Sequence, residues 1–133
     1  SAHLEAMLQQ ELATSDTAER RIRRFATQAL RALGATEGLA REVRLELLRK
    51  ASGPGTALPY LASVREPFTL IVREGQSAGD VRRDLDPTLL AELVIGLLNT
   101  ALLGWLNDPG YPFEKRMSQF VDVIAELIRP RPV

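Results

Sequence analysis

The sequence predicts an all-α domain, a helical bundle of about six helices around one central buried helix. Three observations carry this. Apolar residues recur at three- and four-residue spacing in segment after segment, and no run of β-branched alternation occurs anywhere. Residues 89–106 (LLAELVIGLLNTALLGWL) are apolar on nearly every side, so a helix there needs two burial partners. At 133 residues, 45% hydrophobic and 26% charged, the chain is sized for a single domain spanning 1–133.

Taken in order, the chain opens inside a helical pattern (HLEAMLQQEL) with Leu4, Met7, Leu8 and Leu12 on one side. Ser1 stands where an initiator methionine would, which predicts further chain upstream. Thr14, Ser15 and Asp16 interrupt the pattern. Asp16 is the expected N-cap of a second helix, with Glu19 three residues on in a capping-box arrangement. Ala18, Ile22, Phe25, Ala29 and Leu33 then form an inward face until Gly34 stops it. Arg20, Arg21, Arg23 and Arg24 fall mainly outside that face, and Glu19 precedes Arg23 by four residues. The pattern is that of a solvated, salt-bridged surface more than of a nucleic-acid patch.

A third helix is expected over 37–51, with Ala40, Val43, Leu47 and Leu48 inward and Ser52-Gly53-Pro54-Gly55 ending it. Residues 57–74 repeat the pattern through Leu61, Val64, Phe68, Ile71 and Val72. Pro67 lies within this segment and removes an intrahelical donor, so it either kinks the helix or marks a restart capped by Ser63 with Glu66. Residues 75–86 (GQSAGDVRRDLD) read as a polar connection.

The central helix is strongly delimited. Asp86-Pro87 supplies a capping carboxylate and a proline at the first helical position, and Asn107-Asp108-Pro109-Gly110 ends it. Its length would suffice to cross a bilayer, but Glu92, Asn99 and Thr100 interrupt it and its neighbours are amphipathic, so no membrane is expected. Gly96, Thr100 and Gly104 recur every four residues, a stripe on which another backbone could approach closely. The last helix opens at Tyr111-Pro112, keeps period 3.6 through Phe113, Met117, Phe120, Val121, Ile124, Leu127 and Ile128, and closes at Pro130.

Composition excludes much chemistry. There is no cysteine, and the one histidine, His3, sits beside the amino terminus, so neither disulfides nor a metal site is expected and no cofactor is implied. P-loop, dinucleotide-binding and nucleophile-base patterns are missing, and Asp84 and Asp86 read as a loop residue and a cap; no enzyme is expected. Seventeen basic residues balance seventeen acidic ones, a poor basis for holding DNA or anionic lipid. Fifteen of the basic residues are arginines, a bias common in GC-rich bacterial genomes. No signal peptide is visible, which predicts a cytoplasmic protein.

The series Arg73-Glu74-Gly75-Gln76, Gly79-Asp80-Val81-Arg82 and Asp84-Leu85-Asp86-Pro87, then a long apolar helix, Asn107-Asp108-Pro109 and a last amphipathic helix, resembles the carboxy-terminal half of TetR-family transcriptional regulators over residues 68–128. In that family a DNA-binding helix-turn-helix precedes this region, and no such unit occurs here. The resemblance implies a homodimer formed by the last two helices, a pocket for a small hydrophobic effector, and DNA contact only through the absent amino-terminal unit.

From the residues themselves, a helix needing two burial partners would take one from its own domain and one from its twin. The candidate interface is Leu93, Gly96, Thr100 and Gly104 with Met117, Phe120, Val121 and Ile124. Phe25, Tyr60 and Phe68 on one side and Asn99, Leu102 and Trp105 on the other are the candidate ligand-binding residues. The same residues also suit a fully packed core, which would leave a helical dimerisation module without a ligand.

Overall fold

The computed structural model describes residues 2–35 and 59–132. They form five α-helices: α1 (Ala2–Leu12), α2 (Ala18–Ala35), α3 (Pro59–Ala78), α4 (Pro87–Asn107) and α5 (Phe113–Ile128). Among the described residues there is no strand, so the fold is all-α. The helix expected over 37–51 lies outside the described residues, and five helices stand described where six were expected.

Thr17, not Asp16, caps α2: the Arg20 N–H donates to Thr17 Oγ1 at 3.3 Å and the Arg21 N–H to the Thr17 carbonyl at 3.1 Å. Asp16 is instead engaged by arginines one and two turns along. A second acceptor for the orphan amides arrives from far along the chain, where Asp80 Oδ1 takes the Ala18 N–H at 3.1 Å.

Pro67 lies inside α3 without ending it, so the restart at Ser63 does not occur and residues 59–78 are one helix. Nor does Gly75 stop it. The reversal falls at Gly79, whose φ of 85° is left-handed. The Asp80 N–H then donates to the Gly75 carbonyl at 2.9 Å and the Gly79 N–H to that of Gln76 at 3.2 Å, the paired bonds of a Schellman cap. Gly75 is buried for a packing reason: a Cβ there would stand 3.1 Å from Ala18 Cβ and closer still to Val81.

The connection that follows is tied down rather than loose. Gln76 Nε2 donates to the carbonyls of Arg82 (3.0 Å) and Leu85 (2.9 Å). The Arg82 N–H donates to the Ile128 carbonyl at 2.8 Å, and its Nη1 to that of Leu127 at 3.2 Å, so this loop satisfies the otherwise open carboxyl end of α5. Asp84 holds the same guanidinium from its other side at 2.7 and 2.6 Å.

Asp86 and Pro87 start α4 as the sequence predicts, with Asp86 Oδ2 accepting the Leu89 N–H at 3.0 Å. The helix packs between α3 and α5. Leu90, Ala91, Val94, Ile95, Ala101 and Leu102 are buried, with Leu90, Val94, Phe68, Ile71, Ile124 and Ile128 among the most enclosed side chains. Expected burial around the whole circumference is not what the chain provides. Leu89, Leu93 and Leu103 are 45%, 42% and 36% exposed, because α3 and α5 cover only one side.

Candidate ligand cavity and partner face

Four helices converge on one apolar cavity of about 60 Å³. Phe25, Ala26 and Ala29 come from α2, Val64 and Phe68 from α3, Ile95, Leu98, Asn99 and Leu102 from α4, and Phe113 and Met117 from α5. Phe25 and Phe68 meet edge to face, centroids 5.5 Å apart at 90°. The space exists because α2 presents alanines, Ala26 and Ala29, where larger side chains would reach α4 and α5.

Of the residues expected around a ligand, the structure brings together Phe25, Phe68, Asn99 and Leu102. Trp105 stands one ring back, half-buried and stacked on Phe113 at 5.5 Å and 30°. Tyr60 lies in the first turn of α3, and its side chain lies outside the described residues. The contribution of α5 through Phe113 and Met117 lies outside the expected ligand-binding set, since the sequence places Met117 at the partner interface and Phe113 only on the apolar face of the last helix. The alanine pair on α2 was the signal that could have pointed to a void. Among the described residues, no side chain lining the cavity is titratable.

The arginines of α2 form the salt-bridged surface the sequence predicts, with Arg20 exposed beside Asp16 and Arg23 paired with Glu19 at i,i+4 spacing, and Arg21 alone is buried. Each of three ties α2 to a different helix: Arg24 donates through Nε to Glu11 of α1 at 3.0 Å, Arg21 pairs with Glu74 of α3, and Arg23 donates to Asp122 of α5 at 2.9 Å. Arg21 is 6% exposed and Glu11 4%, so both ends of this network reach the interior. Hydrogen bonding by Arg24, then by the Thr17 amide, holds the Asp16 carboxyl below its usual range. Asp16 and Glu11 in turn raise the Arg24 pKa, as Asp122 and then Glu19 raise that of Arg23. In the loop, the Arg82 guanidinium lowers Asp84 to about 2.

The candidate interface residues separate into two groups. Leu93, Gly96 and Thr100 lie exposed on α4, in register with Leu89 and Leu103, while α5 adds Val123 at 53% exposure and half-buried Phe120. Met117, Val121 and Ile124 point into the chain, at 7%, 6% and 1% exposure. An amphipathic helix has one wide apolar face, and α5 uses it against α2 and α4. Gly104 is also occupied from within, since a Cβ there would stand 2.5 Å from the Tyr111 ring. Gly96 has nothing within 4 Å of the corresponding position.

No family model, curated protein or solved structure matches this chain. Among the described residues, α4 is the one helix long and apolar enough to cross a membrane, with a third of its most apolar window buried in the chain.

Proposed function

We propose that this chain is the dimerising, effector-binding domain of a TetR-like transcriptional regulator, acting without catalysis on DNA contacts made elsewhere in the protein. The observation that carries this reading is the row Leu89, Leu93, Gly96, Thr100 and Leu103 along α4, an apolar surface on the same helix that walls the cavity through Ile95, Leu98, Asn99 and Leu102. A second copy covering that row would join effector and partner on one rigid element. An effector would shift the pairing geometry by the difference in its affinity for two arrangements of α4. Glu92 is exposed on this helix as well, a charge that a watery, two-fold contact tolerates and a bilayer penalises.

Sedimentation of the purified chain at micromolar concentration tests the reading. The expected result is a dimer that Leu93→Glu converts to a folded monomer. A wild-type monomer, or a Leu93→Glu dimer, would overturn it.

A second reading, a packed dimerisation module with no effector, draws on the cavity's size. At about 60 Å³ it is well below the ~300–1,000 Å³ of ordinary ligand sites. The two readings part on whether small apolar molecules raise the melting temperature by mass action.

A further inference from the structure

Beside the apolar cavity lies a second recess of about 210 Å³ between α2 and α5, with Arg23, Thr27, Glu114 and Ser118 on its walls. The two share two residues, Ala26 and Met117. Of the two residues, Met117 has the larger side chain, and it borders both spaces. Methionine is unbranched, with three rotatable bonds, and can swing aside at small cost. One site then becomes continuous from a dry end to a wet one.

The charges at the wet end decide what it accepts. Arg23 is already committed, to Asp122 at 2.9 Å and to Glu19 at 3.2 Å. Two carboxylates on one guanidinium leave no attraction for an incoming anion. Glu114 is the carboxylate that lines the wall itself, and among the described residues no ion pair engages it. Lys115 and Arg116, next along the helix, do not line the recess, and Arg116 donates to Gln119 at 2.9 Å.

We propose that the effector is a small cationic amphiphile, its ammonium or amidinium head in the α2–α5 recess beside Glu114 and its short apolar tail passing Met117 into the cavity under Phe25 and Phe68. This rests on the effector-binding reading and adds the ligand's chemical class and a polar subsite. Thr27 and Ser118 supply hydroxyl acceptors for the head's remaining N–H groups, and the smaller cavity limits the tail to a few carbons.

The test uses three probes with one tail, n-butylammonium, n-butanol and n-butyrate, titrated into the chain carrying ¹³C-methyl methionine and followed by NMR. Met117 reports the passage, and Met7, on α1, serves as the internal control. The expected result is a saturable shift of Met117 alone, with butylammonium binding about tenfold more tightly than butyrate. Glu114→Gln should bring butylammonium down to the level of butanol without changing the Met117 shift caused by butanol. Equal binding of all three heads, or a preference that survives Glu114→Gln, would overturn the cationic subsite while leaving the effector reading in place. No saturable Met117 shift with any probe would overturn both.

Discussion

At the scale of single residues, the loop between α3 and α4 turns on the pair Arg82 and Asp84. Folding lowers the Asp84 pKa from 3.8 to about 2 through its hydrogen bonds to Arg82. A depressed carboxylate contributes stability that is fully present above the unfolded value and is lost as pH falls through the folded one. The contribution of Asp84 is therefore intact above about pH 4 and disappears toward pH 2. Melting temperatures taken across that interval should fall less steeply for Asp84→Asn than for the wild type. Parallel curves would remove this pair from the acid response. Lowered Asp16 acts in the same direction, so the wild-type slope retains a second source.

At the scale of elements, glycine has opposite meanings on α3 and α4. A methyl group at Gly75 collides with Val81 and Ala18, so Gly75→Ala should cost about 1–3 kcal/mol by overpacking. At Gly96 there is open space, and alanine should add about 1 kcal/mol through helix propensity in a Leu93→Glu monomer background. In the wild-type background the same methyl should weaken association, since it stands on the proposed seam. Thermal melts of the two variants, with and without Leu93→Glu, separate these effects; stabilisation by Gly96→Ala with unchanged dimerisation would move the contact off this row. The contrast also explains what was legible in the sequence. Asp86-Pro87, Pro112 and Pro130 are local signals, acting through caps and missing amides, and they bound α4 and α5 correctly. Gly75 misled because its role is a contact with Ala18 and Val81, which spacing cannot reveal. The side of α5 facing Met117, Val121 and Ile124 misled for a related reason: period 3.6 identifies an apolar stripe but not which chain receives it. Phe25, Phe68, Asn99 and Leu102 could be guessed as neighbours from helix faces. The void between them could not, since it depends on Ala26 and Ala29 being small opposite α5.

At the scale of the whole molecule, charge is balanced and also internally consumed. Formal charge is zero, and the arginines that most resemble a phosphate-binding cluster are spent joining α2 to α1, α3 and α5. Duplex binding draws on free cations that release counterions, and these would have to leave carboxylates first. The chain alone should show no sequence-selective binding to duplex DNA at physiological salt in fluorescence anisotropy. Nanomolar, selective binding would overturn both the charge argument and the assignment of DNA contact to another part of the protein. The same three bridges give α2 a grip on α1, α3 and α5, so a displacement of α2 by a ligand at Phe25 or Ala26 would be felt by all three together.

The clasp that Arg82 makes on the carbonyls of Leu127 and Ile128 has a consequence in time. The ribosome releases residue 82 long before residue 128, and chain emerges at about 5–20 residues per second. For several seconds of every synthesis the end of α3, its glycine cap and the Arg82–Asp84 pair can form, while the two carbonyls they are meant to close do not yet exist. Through that interval α4 lacks the cover that α5 gives its inner side, through Met117, Val121, Ile124 and Ile128. A stop codon just before Leu127 would make the interval permanent, leaving a nascent fold that has built its latch and never receives the bolt.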